Sequence, residues 1–150
     1  MKVGDCSSKV TIAIYGGAEV AQAARLMREQ HVGFLVVHQE GDDLCRPIGV
    51  LTDRDIVLEV TACGVDPRSV TVADVMTPEP LIARETDDLR ELLQAMRLAG
   101  VRRAPVVDAR GALAGMISLD DVVDVVAGLI CDMAGSIKRG QRREWRSRPT

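Results

Sequence analysis

The sequence predicts an α/β fold built from two related half-domains, in which the order helix, strand, strand, helix occurs twice. A repeated phrase is the first observation: residues 49–56 and 115–122 each contain a short apolar run, a hydroxyl residue and an aspartate three positions later. A shift of 69 positions also aligns apolar residues of segment 3–37 with those of segment 72–106. Repeats of this length indicate duplicated structural units.

The first helix of each half-domain is predicted from apolar residues at helical spacing. Residues 18–30 and 87–99 both have this pattern, and Gly33 and Gly100 just beyond them suit helix C-terminal ends. Both segments are therefore expected to be amphipathic helices packed on a core. The apolar positions are Val20, Ala23, Ala24 and Met27 in the first helix, and Leu89, Leu92, Leu93 and Met96 in the second.

Two strands and a second helix are predicted after each first helix. The strands are short apolar runs separated by a polar, glycine-bearing turn, which is longer in the first half and reduces the alignment shift to 66 positions. The predicted strands are 34–37 and 47–51 in the first half and 104–107 and 113–117 in the second, and the second helices are about 53–63 and 119–130.

The connection between the halves predicts the domain boundaries. Residues 65–68 indicate a loop, residues 72–76 a helical turn, and Pro78 and Pro80 keep the following segment extended. The predicted organisation is a first domain at 1–70, a second at 71–130, and a basic C-terminal tail or helix extension at 131–150.

Composition limits the class of protein. A chain of 150 residues with 47% hydrophobic content can bury one core, and halves of about 70 residues would be marginal unless they shared an interface. With an aromatic content of 2%, the chain has almost no rings on which nucleic-acid bases could stack, so nucleic acid is not the expected partner. No apolar run is long enough to span a membrane, and the four dispersed cysteines indicate reduced thiols rather than a zinc site. We therefore expect a cytoplasmic protein.

Charge is concentrated at the C-terminus. Residues 138–150 hold six basic residues and one acidic residue, a net charge of +5, whereas the remaining 13 basic and 21 acidic residues sum to −8. A solvated tail or the last turns of a helix is the favoured interpretation. An anionic partner is the alternative.

The repeated phrase contains a pair of polar residues with two possible roles. Thr52 and Ser118 stand where a strand gives way to a helix, whose unpaired backbone N–H groups attract phosphate. Asp55 and Asp121, one turn later, can accept hydrogen bonds from ribose hydroxyls. The same spacing is also that of a capping box, in which both side chains bond to their own helix terminus, and spacing alone favours capping.

The motifs together resemble a family. Val-Ala-Asp-Val-Met-Thr at 72–77, Val-Arg-Arg-Ala-Pro-Val-Val-Asp at 101–108 and the phrase at 115–121 are similar to those of tandem CBS-domain pairs, the Bateman module, over roughly residues 3–130. Standalone bacterial CBS domain-containing proteins have a similar size. The resemblance implies two small, mostly β-sheet half-domains, each flanked by two helices and related by a pseudo-twofold axis. It also implies a homodimer.

The resemblance implies a set of ligand-binding residues as well. In the family, the positions of the repeated pair contact ribose and phosphate, a basic residue at the entry to the strand reaches phosphates, and apolar residues after the leading segment form a base pocket. The first half departs from the pattern at 6–8 and 33–36, so two unequal sites are expected. The residues concerned are Thr52, Asp55, Ser118 and Asp121, then Arg102 or Arg103, and finally Ile12, Ala13, Leu81 and Ile82.

The predicted function is a regulatory module that binds a nucleotide such as AMP, ADP, ATP or NAD between its halves and acts through a separate, unidentified effector protein or through dimer geometry. No required cofactor is expected. No catalytic or metal-ligand grouping is present, and His31 and His38 have no repeated partner, so an enzyme is not expected. The alternative is a ligand-free dimeric interaction scaffold, in which Val122, Val123 and Val126 build the dimer.

Overall fold

The computed structural model describes residues 1–147, and for residues 144, 146 and 147 it describes the backbone alone. Residues 148–150 of the predicted C-terminal segment lie outside the described residues. After a 3₁₀ turn at Val3–Asp5, the first half contains β1 (Ala13–Tyr15), α1 (Val20–Gln30), β2 (Phe34–His38), β3 (Gly49–Thr52) and α2 (Asp53–Asp55), which continues as a π-helical segment, Ile56–Thr61. The second half contains α3 (Val72–Val75), β4 (Thr77–Pro78), β5 (Ala83–Arg84), α4 (Leu89–Ala99), β6 (Arg103–Val107), β7 (Leu113–Ser118) and α5 (Leu119–Ser147).

The two sheets have matching topologies. In the first, the strand order is β1-β2-β3-β4, with β1 parallel to β2 and the other pairs antiparallel. In the second, the order is β5-β6-β7, again with one parallel pair followed by one antiparallel pair. The predicted α/β fold of two related half-domains is confirmed.

The leading segment of each half-domain pairs with the sheet of the other half-domain. Thr77 at the start of the second half pairs with Val50 in β3, and Ser8 at the start of the first half pairs with Met116 in β7. The Ser8 and Met116 backbones exchange two hydrogen bonds, with N···O distances of 2.8 and 2.9 Å. The exchange explains one part of the repeated phrase: at Gly115, a Cβ atom would collide with the Ser8 carbonyl group.

The protein has two hydrophobic cores, and each contains residues from the leading segment of the other half. Val3 and Cys6, from the beginning of the chain, are buried in the core of the second half, packed with residues of α4, β6 and β7. Val72, from the beginning of the second half, is buried in the core of the first half. Each half therefore depends on the other for part of its core, which is consistent with the marginal size of a single half. The predicted boundaries at residues 70 and 130 stay predictions.

The predicted elements match the structure except at the short strands and the last helix. β1, β4 and β5 contain two or three residues each and were not predicted, because runs this short show no periodicity. The last helix was predicted to end near residue 130 but continues to Ser147, since its apolar spacing continues and no proline interrupts it before that residue. The basic segment is therefore helical through residue 147. Among the described helices, none is both long and apolar enough to cross a bilayer.

Candidate functional site

The repeated hydroxyl and carboxylate pairs both form capping boxes. At the start of α2, the backbone N–H of Thr52 donates to Asp55 Oδ2 at 2.8 Å, and the N–H of Asp55 donates to Thr52 Oγ1 at 3.1 Å. At the start of α5, the N–H of Ser118 donates to Asp121 Oδ2 at 3.0 Å, and the N–H of Asp121 donates to Ser118 Oγ at 3.1 Å. The Ser118 hydroxyl also donates to Asp121 Oδ2 at 2.5 Å. The capping interpretation is therefore confirmed for both pairs.

Capping uses only one of the two oxygen atoms of each carboxylate. The bonds to Asp55 and Asp121 all reach Oδ2, and within the described chain neither Oδ1 atom accepts a hydrogen bond. An ionised carboxylate has about four acceptor positions, so the cap orients the group without saturating it. Capping and ligand binding are consequently compatible in this geometry.

A cleft of about 330 Å³ lies beside the second of these pairs and is formed by both half-domains. The second half contributes Arg103, Met116, Ser118 and Asp121. The first half contributes its exchanged leading segment and the turn between α1 and β2. We call this space the Asp121 cleft. Its first-half lining residues are Ser8, Val10, Thr11, Ile12, Gln30, His31, Val32, Gly33 and Phe34.

The Asp121 cleft combines apolar walls with charged groups. Ile12, Val32 and Met116 provide apolar surface. The Arg103 guanidinium lies 6.0 Å from the centre of the Phe34 ring, within cation–π range, and joins the two half-domains at this point. The N-terminus of α5, which carries partial positive charge, stands behind Ser118. The arrangement suits a ligand with a flat apolar part, hydroxyl donors and negative charge.

Four of the predicted site residues line the Asp121 cleft: Ile12, Arg103, Ser118 and Asp121. The other predicted residues lie outside it. Arg102 is exposed and forms an ion pair with Asp120 at 3.5 Å, while Ala13 lines other clefts. Leu81 packs against the second core and Ile82 is 40% exposed. Thr52 and Asp55 occupy the equivalent motif of the first half. The roles of these outlying residues in a second site stay predictions.

Sequence reasoning missed the contribution of the α1–β2 turn. His31, which was not among the predicted site residues, is exposed and also lines the Asp121 cleft. Its backbone is left-handed, with φ 54° and ψ 41°, at the helix end where the second half has Gly100. A non-glycine residue in this conformation is uncommon. The alignment of His31 with Gly100 was the signal that could have identified it.

The difference between Gly33 and Arg102 at equivalent positions has a packing reason. A Cβ atom on Gly33 would lie 2.6 Å from Asp53 Oδ2, so the Asp53 carboxylate occupies the space of a side chain there. In the second half, the residue equivalent to Asp53 is Leu119. The first half therefore cannot carry an arginine at this position without moving Asp53, which makes the two motif environments unequal.

A second cleft between the halves, about 470 Å³, has a different character. It lies between the 39–47 loop and the β6–β7 turn and contains two cationic side chains, Lys9 and Arg110. Lys9 pairs with Glu85, and Arg110 pairs with Asp108 at 3.1 Å. With both cations neutralised and no motif residue present, this cleft is the weaker candidate for a ligand.

The described residues bear on two kinds of chemistry, metal ligation and thiol reactivity. Among them, no group of three His, Cys, Asp or Glu side chains is placed to hold a metal ion. Burial, followed by the nearby Asp5 carboxylate, raises the pKa of the Cys6 thiol. A nucleophilic cysteine needs the opposite shift.

Known proteins resemble this chain in sequence and in fold. The family model described as CBS domain matches residues 3–62 and 72–128. The CBS domain-containing protein YhcV of Bacillus subtilis is 35% identical over 103 residues, which cover 69% of each chain. A putative signal-transduction protein with CBS domains from Burkholderia ambifaria is 26% identical, with a TM-score of 0.72 over 84% of this chain and 93% of that one. A CBS domain protein from Pyrobaculum aerophilum, solved in complex with AMP, has the same fold at 22% identity, with a TM-score of 0.72 over 81% of this chain and 89% of that one.

Proposed function

This chain belongs to the CBS domain family, and we propose that it is a regulatory module that binds an adenine nucleotide in the Asp121 cleft. The observation that carries the proposal is the position of Asp121. Its Oδ2 atom is fixed by the cap of α5, while its Oδ1 atom accepts nothing from the described residues in a cleft lined by both half-domains.

The size and lining of the cleft support this class of ligand. Small-molecule sites commonly enclose about 300–1,000 Å³, have mainly apolar walls and contain a few placed polar groups. At about 330 Å³, the Asp121 cleft lies within this range, and its lining is a mixture of apolar and polar side chains. The Pyrobaculum aerophilum protein with the same fold is complexed with AMP.

Each part of the nucleotide has a matching group in the proposal. Asp121 accepts hydrogen bonds from the ribose hydroxyls, and Ile12 and Val32 contact the base. Ser118 and the N-terminus of α5 face the first phosphate. Arg103 is the residue of the predicted arginine pair that can reach further phosphates, because it lines the cleft and Arg102 does not. AMP, ADP, ATP and NAD are the candidate ligands.

Regulation follows from the two-sided construction of the cleft. A ligand held by Arg103 and Asp121 on one side and Ile12 on the other favours the arrangement of the half-domains in which all three contacts form. The output is then a change in dimer geometry or in binding to an effector protein, with no reaction catalysed. The partly exposed Val57 and Leu58, on the second helix of the first half, are proposed to lie at the homodimer interface.

The location proposed for this activity is the cytoplasm. All four cysteines are free thiols in the described part of the chain, and three of them are not buried. Free, accessible thiols persist in a reducing compartment. This agrees with the interpretation of the cysteine spacing.

A ligand-free interaction scaffold is the second candidate function. The observation that favours it is that all four motif side chains are engaged in caps. A scaffold predicts that loss of the Asp121 carboxylate lowers thermal stability and changes no ligand response.

Isothermal titration calorimetry separates the two functions. Nucleotide-free protein is titrated with AMP, ADP, ATP and NAD, and the comparison is between Asp121→Asn and a matched control, Asp74→Asn. Asp74 is also the last residue of a capping box, with the N–H of Thr71 donating to its Oδ2 at 2.8 Å, but it lies outside the Asp121 cleft. Loss of a charge-assisted hydrogen bond costs about 1.5–3 kcal/mol, so Asp121→Asn should weaken binding about 10- to 150-fold.

The Asp74→Asn variant should bind within twofold of wild type. Absence of heat with all four nucleotides would contradict the proposal, as would equal losses in the two variants. An Asp55→Asn variant then tests the equivalent motif: a change in stoichiometry would indicate a second occupied site in the first half-domain.

A further inference from the structure

Helix α5 carries an exposed apolar stripe that the half-domains do not cover. Its residues recur at intervals of three and four, and their exposed fractions range from 44% to 66%. This alternation is the spacing of coiled-coil core positions. Monomeric proteins rarely expose a continuous apolar surface of such length. The α5 stripe consists of Val123, Val126, Ile130, Met133 and Ile137.

Charge divides the same helix into two parts. In the first half of the helix all the charged residues are acidic, and from Lys138 onward they are predominantly basic. Two copies of α5 placed parallel would bring basic segments together, whereas antiparallel copies would bring each basic segment toward the acidic end of the other. Antiparallel helix dipoles also attract one another. The acidic residues are Asp120, Asp121, Asp124 and Asp132, and the basic residues with described side chains are Lys138, Arg139, Arg142 and Arg143.

Most of α5 lies beyond the matched family region. The family model ends at residue 128, and the helix continues to Ser147. At 1.5 Å per residue, its 29 residues extend about 43 Å. A helical extension without tertiary packing is marginally stable in water, because most helix stability in proteins comes from an apolar face packed on a neighbour.

We propose that α5 pairs in antiparallel orientation with α5 of a second copy of this chain. The α5 stripe forms the core of that pair. Coiled-coil layers then place Val123 against the partner's Met133 and Val126 against the partner's Ile130, with the twofold axis near residue 128. The small residues Ala127 and Ala134, next to the stripe, allow close approach of the helices. This inference adds α5, whose residues beyond 128 lie outside the family match, to the proposed homodimer interface.

Spin-label distances test the orientation directly. Gln141 is exposed, thirteen residues beyond the proposed axis, and a Gln141→Cys variant is labelled in a background with Cys45, Cys63 and Cys131 changed to Ser. With a rise of 1.5 Å per residue, antiparallel helices place the two labels about 40 Å apart along the axis. Parallel helices, with axes about 8–10 Å apart, would place them within about 20 Å.

Association is tested by sedimentation equilibrium of the full chain. Ile130→Asp puts a carboxylate in the middle of the α5 stripe and should raise the dimer Kd at least tenfold. Leu98→Asp is the matched control, because Leu98 is 84% exposed on α4 and lies outside the stripe. That control should dimerise like wild type. Ile130 is 61% exposed, so the variant should keep its circular dichroism spectrum.

Several results would overturn the inference: a wild-type chain that stays monomeric at 100 μM, a distance between the labels below about 20 Å, or equal Kd values for the Ile130→Asp variant and wild type. A monomeric chain whose α5 stripe binds vesicles of anionic lipid would overturn it in favour of a membrane surface. Nucleotide calorimetry on the Ile130→Asp variant tests the α5 pairing separately from nucleotide binding. If the variant still binds nucleotide, the α5 stripe is needed for pairing and not for the Asp121 cleft.

Discussion

Replacing Gly115 with alanine tests whether the exchange of leading segments holds the two half-domains together. The added methyl carbon would lie 3.2 Å from the carbonyl carbon of Ser8 and closer still to its oxygen. Because the colliding atoms belong to backbone, a side-chain rotation cannot relieve the contact. The Ser8 segment must move away from β7.

The expected loss follows from the bonds that this movement breaks. Ser8 and Met116 exchange two backbone hydrogen bonds, and each contributes about 0.5–1.5 kcal/mol. Replacing glycine also restricts the unfolded chain, which raises the free energy of unfolding by about 0.4–1 kcal/mol. The net destabilisation is about 1–2 kcal/mol, and for a protein of this size it lowers Tm by roughly 2–8 °C.

Thermal unfolding followed by circular dichroism measures the effect against two controls. Gly128→Ala makes the same chemical change in α5, where no atom lies within 4 Å of the new methyl group. It should stabilise the protein by about 0.5–1 kcal/mol, because alanine is the better helix former. Gly49→Ala should have an intermediate effect, since the nearest obstacle there is the flexible Met76 side chain. A Gly115→Ala variant with a Tm equal to or above that of wild type would contradict the expected collision with the Ser8 backbone.

Three other predictions follow from single side chains. Arg103→Ala should weaken ATP binding more than AMP binding in calorimetry, whereas Arg102→Ala should change both by less than twofold; equal losses would show that the cleft assignment is wrong. Hydrogen bonds from the backbone N–H and the hydroxyl of Thr71 lower the pKa of Asp74, so its contribution to stability is present above the unfolded pKa of about 3.9 and is lost as pH falls through the lower folded value. The Tm gap between wild type and Asp74→Asn should therefore close below about pH 4, and a gap that widens in acid would contradict this. His31→Gly relieves a left-handed residue and should raise stability by about 0.5–1 kcal/mol in urea unfolding; a loss of stability would show that the imidazole makes a compensating contact.

Much of the fold could be predicted from periodicity. The amphipathic patterns around Val20 and Leu89 gave the first helices to within two residues at their starts, and the apolar runs at 34–37 and 104–107 gave the central strands. These segments are long enough for a helical or strand pattern to be recognised. Their duplication also supported the paired architecture.

The exchange between the half-domains could not be predicted from local pattern. Ser8 and Thr77 each join a sheet through one or two backbone pairs, and a strand of that length has no sequence period. The repeated phrase shows a glycine in both copies. The glycine is required because a segment distant in sequence approaches its backbone closely. Such an approach is a tertiary property.

Only part of the candidate site's geometry follows from the sequence. Asp121, Ser118, Arg103 and Ile12 line one cleft, and their role in ligand binding stays a prediction. Sequence alone could not place Arg103 inside the cleft and Arg102 outside it, because strand alternation decides which neighbouring side chain faces each side. The contribution of His31 depends on a backbone conformation that its residue type does not favour.

A crystal structure of the protein with the tightest-binding nucleotide of the four would show whether Asp121 binds the ribose. The nucleotide should occupy the Asp121 cleft with a ribose hydroxyl at about 2.5–3.0 Å from Asp121 Oδ1, while Oδ2 keeps its bonds to Ser118. A nucleotide bound elsewhere, with Asp121 Oδ1 facing solvent, would contradict it.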